Sequence, residues 1–404
     1  MEKKVDILIH GGGLAGNSLA LALAKTNLNI AIVEPFPPAN LTRSILESRT
    51  IALSYGARRI YEGMGVWSEI EPYCTPIEHI HVSDQGRFGM THIHATEQGM
   101  PALGYVLQIA EVNRVLSEKL RQYSTIRLLS PASVSEVVLV NNQWALKIQR
   151  EDEVDDWRSE LLIAADGGQS PLRQMMGLSV QEKDYDQTAI VTSVQLNQPH
   201  HYTAYERFIS SGPIAFLPVE KDVAAVIITV NNADLSSWKE LSDQAFLQRL
   251  QTSFGYRLGR LRGLGSRVYY PLKLVTTEQQ TAPQFLLIGN AANVLHPIAA
   301  QGFNLALRDI AVFAECISTA LKNQQSLADP ALLATYSTLR QADQQRTVRF
   351  TDGLITLFSN PRLGLLRTAA MTGLDLFPPL KTLLGKYGAG TLGPLSRLAR
   401  GLEL

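Results

Sequence analysis

The residues most able to do chemistry lie in three short stretches. The first, Gly11-Gly12-Gly13-Leu14-Ala15-Gly16, has the spacing Gly-x-Gly-x-x-Gly, and Glu34 follows eighteen residues past Gly16. Glycines so placed allow a tight turn, close approach of backbone to a pyrophosphate, and tight packing of a helix on a strand. A helix opening there offers unpaired N–H groups and the positive end of its dipole to phosphates. An acid at the position of Glu34 can accept hydrogen bonds from an adenosine ribose lacking a 2′-phosphate, which points to FAD or NAD. The second stretch, Ala164-Ala165-Asp166-Gly167-Gly168-Gln169-Ser170-Pro171-Leu172-Arg173, ends an apolar strand in a carboxylate. Ser170 and Pro171 there suit a helix cap and first helical position. The third runs Leu286-Leu287-Ile288-Gly289-Asn290-Ala291-Ala292, then His296-Pro297, Gln301-Gly302-Phe303-Asn304 and Arg308-Asp309. It reads as a strand, a small-residue loop and a helix, whose partly buried N-terminus stabilises an anion by up to ~2 kcal/mol.

The elements that must hold these stretches follow from hydrophobic pattern. Residues 5–9 form a buried strand, 17–25 an Ala/Leu-rich helix, and 30–33 a second strand stopped by Pro35, Pro37 and Pro38, together a βαβ unit. Helices are predicted over 54–67, 110–123, 242–254 and 303–321. Strands are predicted over 134–140, 145–150, 160–165 and 285–288, with β-type alternation through 185–270. A hairpin is predicted from 77–83 and 88–95 around Asp84-Gln85-Gly86-Arg87, and a mostly helical tail follows Phe350.

Composition narrows the class. A chain of 404 residues admits two or three folded units. Its 45% hydrophobic content and balanced 37 basic and 37 acidic residues exclude a disordered polyelectrolyte. With no net charge, the broad electrostatic attraction of nucleic-acid binders is missing. Cys74 and Cys316 are isolated, which excludes a disulfide framework or a Cys-rich zinc site and suits a reducing compartment. The apolar run 5–9 is too short for a signal peptide, and no uninterrupted apolar stretch reaches the ~18 residues of a membrane span. A cytoplasmic protein is expected, peripheral at the inner face of a membrane if its tail binds lipid.

Taken together, the three stretches resemble the FAD-dependent aromatic hydroxylases of the ubiquinone-biosynthesis group, relatives of para-hydroxybenzoate hydroxylase. The family order is a Gly-x-Gly-x-x-Gly, then Asp-Gly-x-x-Ser-x-x-Arg, then a Gly-Asp-Ala-Ala…Pro…Gly-Gln-Gly-x-Asn block; here Gly289 follows Asp166 by 123 residues. Arg49-Thr50-Ile51-Ala52-Leu53-Ser54, Gly65-Val66-Trp67 and Gly212-Pro213-Ile214-Ala215-Phe216-Leu217-Pro218 extend the likeness, and the string from Gly289 to Asn304 is most similar to the 2-polyprenyl-6-methoxyphenol hydroxylase branch. The resemblance implies an α/β fold: a Rossmann-like FAD-binding domain of the glutathione-reductase type (1–74, 104–182 and 272–345), interleaved with a β-sheet substrate domain (75–103 and 183–271) and followed by a C-terminal helical segment (346–404). It implies that Gly11, Gly13, Leu14, Ala15 and Gly16 hold the FAD pyrophosphate, Glu34 the adenosine ribose, Arg49 the phosphates, and Gln108 the adenosine half. Asp166 would lie by the ribityl–pyrophosphate region and the nicotinamide path, and Gly289 and Asn290 by the ribityl chain. Gly302, Phe303 and Asn304 would offer N–H groups to the flavin pyrimidine. Pro297 would line the face where oxygen reacts. Substrate contacts fall to Tyr205, Arg207 and His296, with His296 and Pro297 as the catalytic candidates.

The implied reaction hydroxylates a polyprenyl phenol with O₂ and with NADPH or NADH as transient reductant. Alternatives are another ring position or phenol, or a non-catalytic flavin-binding scaffold. A halogenase is disfavoured because no Trp-x-Trp-x-Ile-Pro motif occurs. Two departures from the family stand out. Asn290 replaces the usual Asp, and Ala300 replaces a Gly, at a cost of order 1 kcal/mol if that position needs positive φ. His79, His81, His92 and His94 could cluster across the hairpin, and the favoured reading is a polar strand face without metal. The tail from Phe350 carries six basic and three acidic residues between apolar ones. It suits either a helical cap or contact with a membrane surface or multi-enzyme complex.

Overall fold

A computed structural model describes residues 2–37, 45–87, 89–151, 153–359 and 364–404. Pro38, Phe88 and Arg362, which enter the expectations above, lie outside them. Strand β1 (Lys3–His10) leads through the glycine turn into helix α1 (Leu14–Leu23), and strand β2 (Ile30–Val33) follows. Val5 and Ile7–Ile9 are buried, as are all four residues of β2. Strands covered on both faces read as continuous apolar runs, and this one pairs in parallel, with Ile7 opposite Ile30 and Leu161. The resulting sheet places strand Glu153–Ala164 on one side of β1 and β2 with Ile126–Leu129 on the other, and adds Phe285–Leu287 beyond Glu153–Ala164. Strand Glu153–Ala164 starts earlier than its apolar half predicts. Its polar first half pairs antiparallel with Gln143–Arg150, outside the parallel core.

A second sheet contains His79–Asp84, Met90–His94, the long Val180–Leu196, and the antiparallel strands Thr203–Ile209, Gly212–Glu220, Val223–Asn231 and Val268–Thr277. One of its faces is covered by helices Leu235–Lys239 and Asp243–Phe254, through Trp238, Phe246, Leu250 and Phe254 packed on Ile190, Phe216 and Ile228. The other face turns toward the first sheet. Between the two lies a three-stranded sheet of Thr50–Ser54, Gly104–Gln108 and Cys74–Ile77. The single helix expected over 54–67 is therefore divided. Residues 51–53 pair with 105–107, Ser54 caps a helix Tyr55–Gly63 by accepting from the Ala57 N–H at 3.3 Å, and Gly65 turns the chain with φ +72° into Trp67–Ile70.

Helix Gln301–Lys322 drives Leu307, Ile310, Phe313 and Ile317 into the main core beneath the parallel sheet, where each fully buried side chain contributes about 1.5–3 kcal/mol. Helix Pro330–Ser359 packs along it. A buried ion pair joins them: Arg340 Nε lies 2.6 Å from Asp309 Oδ1, and Arg340 and Arg308 both reach Asp343. The tail is a docked cap. Arg367 is buried against Asp84 at 3.1 Å, Thr91 Oγ1 donates to the Met371 carbonyl, the Gly56 N–H donates to the Ala389 carbonyl, and Leu398 and Ala399 complete the main core. Among the described residues no helix is long and apolar enough to cross a membrane.

Candidate active site

Because β1, β2, Glu153–Ala164 and Phe285–Leu287 run in parallel, their carboxyl ends meet at one edge; β2 delivers Glu34 and each of the others delivers one of the three stretches singled out in the sequence. Backbone bonds tie those ends together: the Gly11 N–H donates to the Val33 carbonyl, Ala165 to His10, and Ile288 to Ala164. Gly11 has φ +110°, and a Cβ there would lie 2.4 Å from the Ala165 carbonyl oxygen; one on Gly16 would lie 1.8 Å from the Gly11 oxygen. These two glycines are fixed by the protein itself. Gly13 differs, since a Cβ there meets nothing within 4 Å. It opens onto free space, as a glycine does where a ligand passes over the backbone.

Glu34 is set by two backbone donors, Gly12 N–H to Oε2 at 2.6 Å and Phe36 N–H to Oε1 at 3.0 Å. Its remaining lone pairs stay available for ribose hydroxyls. Asp166 Oδ2 accepts from the Leu172 N–H and lies 3.0 Å from His10 Nδ1, while Asp166 Oδ1 and His10 Nε2 are buried with no partner. An unpartnered buried carboxylate oxygen costs free energy unless a bound group meets it. Arg173 holds this loop to the next one, donating to the Gly168 and Ala291 carbonyls at 2.8 Å each. Gly289 has φ +66° and sits near Ala15, whereas Asn290 is exposed.

Ala299 and Ala300 both occupy the left-handed region, with φ +55° and +52°, so the departure at Ala300 does carry strain. That geometry turns the chain into helix Gln301–Lys322, whose first N–H groups have no side-chain cap and whose Gly302 has open space beside it. The Asn304 side chain is fully used inside the protein. It accepts from the Ser54 N–H at 2.8 Å and donates to the Ala52 and Ala300 carbonyls. Only its backbone remains for a ligand. Arg49 is exposed over the Tyr270 ring, and Gln108 begins the helix Ile109–Leu120 with Ser48 Oγ at 3.5 Å. Pro297 is exposed at the mouth of the loop.

His296 is 2% exposed and accepts the Ile298 N–H on Nδ1 at 3.1 Å, which places its proton on Nε2, and burial lowers its imidazole to about 4. It is a neutral strut of the loop. The unfolded chain takes up a proton that the native loop refuses, so stability is lost as pH falls from about 6.5 toward 4. His296→Asn, whose Oδ1 can accept the same N–H, is expected to show a smaller drop in melting temperature than the parent between pH 7 and pH 5. An equal drop in calorimetry would contradict this.

Tyr205 and Arg207 do not face this site, contrary to the expectation. Tyr205 packs edge-on against Phe254 and the Arg207 guanidinium donates to the Ser253 carbonyl, so both point to the helix-covered face of the second sheet. Glu206, between them, points the other way. Sequence reasoning also missed His10, whose signal was its place directly before the glycine turn. It missed Asn17, which donates to the Gly12 carbonyl at 2.8 Å and to Asn113 Oδ1. Across the hairpin, His79 Nδ1 and His94 Nδ1 are 2.9 Å apart and His81 stacks on His92. Among the described residues no three His, Cys, Asp or Glu side chains are arranged to hold a metal.

An open Gly13, an unpartnered Asp166 Oδ1 and an uncapped helix N-terminus at Gly302 fit a flavin dinucleotide laid across the carboxyl edge of a parallel sheet; fold and site together define a flavoprotein. Residues 4–351 match the FAD binding domain family, and the chain belongs to it. It is an FAD-dependent aromatic-ring monooxygenase that uses NAD(P)H. It is 31% identical to Ubiquinone hydroxylase UbiL of Rhodospirillum rubrum over 100% of this chain and 94% of that one. To Ubiquinone hydroxylase UbiM of Neisseria meningitidis it is 29% identical over 96% and 86%. The crystal structure of p-nitrophenol 4-monooxygenase PnpA from Pseudomonas putida shares the fold, with TM-score 0.81 and 15% identity over 98% of this chain and 100% of that one.

Proposed function

We propose that the chain hydroxylates the ring of a polyprenylated phenol in ubiquinone biosynthesis, of the 2-polyprenyl-6-methoxyphenol type. The observation that carries this reading is a cradle for FAD beside a sheet surface whose centre is mainly apolar, with Glu206 and Asp84 among it. Ile80, Val82, Ala204, Ala215, Leu217 and Ala225 line that surface. Relatives named as ubiquinone hydroxylases match over nearly the whole chain. FAD supplies the redox chemistry, carrying electrons from NAD(P)H to O₂ so that one oxygen atom reaches the ring. The protein's part is placement and field. Gly11, Gly13 and Gly16 with Leu14 and Ala15 seat the pyrophosphate, and Glu34 holds the ribose. Asp166, oriented by His10, and Gly289 hold the ribityl side. The N-terminus of helix Gln301–Lys322 opposes negative charge on the pyrimidine edge. Pro297 and the apolar sheet exclude water from the reacting face.

The decisive experiment is to identify the quinone precursor that accumulates in cells lacking the protein, together with NAD(P)H oxidation by the FAD-loaded protein on a prenylated methoxyphenol. Bound FAD that no phenol discharges would sink the reading in favour of a scaffold. We further infer that the substrate is drawn from a membrane surface. Phe377, Leu380 and Leu383 are 64%, 50% and 52% exposed at helix Pro378–Gly388, with Lys386 exposed beside them. Replacing all three with Ser is expected to weaken co-sedimentation with anionic lipid vesicles at least about tenfold. Unchanged binding would retire the membrane contact.

A further inference from the structure

Strand Thr203–Ile209 is covered on both faces, so its alternation divides its side chains between two environments. Tyr205 and Arg207 go to the helices. On the other face Ala204 packs in one cluster with Ala52, Val106 and Ala300, and Phe208 packs in another with Ile298 and Ile355. Residues 298 and 300 belong to the loop that follows Pro297. Glu206 lies between Ala204 and Phe208 on that same face, so its carboxylate is presented to the loop, from the substrate sheet. Its cross-strand neighbours are Val82 and Ala215. Asp84, the other acid on this face, lies opposite Phe208 and is paired with Arg367 and Arg87, whereas among the described residues no hydrogen bond or ion pair reaches the Glu206 carboxylate.

We propose that Glu206 is the proton acceptor for the ring hydroxyl of the aromatic substrate, and so a catalytic residue of the hydroxylation. The inference rests on the reading that the substrate is a phenol. In the step it performs, the phenolic O–H bond breaks, the proton goes to a Glu206 carboxylate oxygen, and the bonding pair stays on the ring oxygen. That pair feeds the ring carbons ortho and para to it, the positions able to take up an electrophilic oxygen atom. Nothing else is consumed, and the proton leaves to water when the product departs.

The setting suits the task. Glu206 keeps part of its surface accessible, yet burial alone pushes its carboxyl up to about 7. The surface it keeps therefore belongs to an interior recess. An ordinary carboxylate lies about six pKa units below a phenol near 10 and Glu206 lies about three below, which makes it a far better base while still ionised at pH 8. The ionisable groups on the neighbouring elements do not compete. His296 on the loop is held neutral, and on helix Pro330–Ser359 Asp352 is engaged by Lys183 and the Tyr185 hydroxyl. The adjacent strands present Ile80, Val82, Ala215 and Leu217 on this face, together with Asp84, whose carboxylate is engaged by Arg367 at 3.1 Å and Arg87 at 3.6 Å.

The test uses FAD-loaded parent, Glu206→Gln and Glu206→Asp with a 2-methoxy-6-alkylphenol as probe. Difference absorption spectra at pH 8 report whether the bound probe is phenolate or phenol, and single-turnover product yield is followed from pH 6 to 9. The parent is expected to bind phenolate and to gain rate through a pKa near 7. Glu206→Gln should bind neutral phenol with affinity within about threefold, lose about 100-fold in hydroxylation rate, and lose the pH dependence. Glu206→Asp should restore part of the rate and the phenolate spectrum. Because a raised carboxyl pKa costs native stability as pH rises from about 4.5 through 7, Glu206→Gln should melt no lower than the parent at pH 8, which separates lost chemistry from lost fold. A Glu206→Gln enzyme that still binds phenolate and hydroxylates within threefold of the parent overturns the role of Glu206 and leaves the phenol reading standing. A parent that binds no phenol overturns both.

Discussion

Gly16→Val is expected to purify without yellow colour. Its Cβ would fall 1.8 Å from the Gly11 carbonyl oxygen, and that atom is backbone in a turn already held by Gly11 N–H to Val33 and by Ala165 N–H to His10. The turn cannot yield without displacing α1 from β1, and both flank the pyrophosphate path proposed above. FAD affinity should fall about 100-fold or more, equivalent to about 3 kcal/mol, with a lower melting temperature. The informative companion is Gly13→Ala. Its φ of −76° suits alanine, and no protein atom stands within 4 Å of the added methyl. The apoprotein should melt with the parent, while FAD titration of apoprotein gives a dissociation constant at least about tenfold weaker. If Gly13→Ala binds FAD as tightly as the parent, the pyrophosphate does not cross Gly13.

The second large effect concerns stability. Arg340→Met should cost about 3–5 kcal/mol, because it leaves the Asp309 carboxylate buried with only the Gln344 amide at 3.1 Å for a partner. Burial already raises the Asp309 carboxyl against the pull of Arg340, and without the guanidinium it rises further. The deficit should therefore be greatest at high pH and shrink as pH falls through the new native pKa, the opposite of ordinary acid destabilisation. Replacing both partners, Asp309→Leu with Arg340→Met, should recover most of the loss. Thermal melts of the three variants at pH 6 and pH 9 decide it. Asp309 lies on the helix whose first turn carries Gly302 and Phe303, so the single variant should also bind FAD more weakly.

The parts of this molecule legible in its sequence are those made within one turn of chain. The glycine turn, the Ser170 cap and the strand–loop–helix around Gly289 each need only neighbours, and each fell where pattern placed it. What needed pairing across the chain was hidden. His10 and Asp166 meet only because β1 aligns with Glu153–Ala164, and Asn304, read in the sequence only for its N–H, ties helix Gln301–Lys322 to strand Thr50–Ser54 through its side chain. At Tyr205-Glu206-Arg207 the hydrophobic rule has no purchase, since both faces of the strand are covered and an error of one position exchanges them. The helix expected over 54–67 is present over Tyr55–Gly63 and is broken at Gly65, while the strand Thr50–Ser54 before it went unread because its partner Gly104–Gln108 is distant in the chain.

The main core draws on residues near both ends of the chain: Ile7 and Ile9 of β1 pack in the same cluster as Leu398 and Ala399, with Leu404 against it. During synthesis residues 5–9 thus emerge long before residues 398–399, which finish one wall of the same core. A chain halted on the ribosome near residue 350 would hold every glycine of the cradle and still show an open apolar flank around Ile60 and Leu307. Such a chain invites chaperone capture. A fusion or cut close to residue 398 would therefore act on the opposite end of the molecule, by leaving its first layer unfinished.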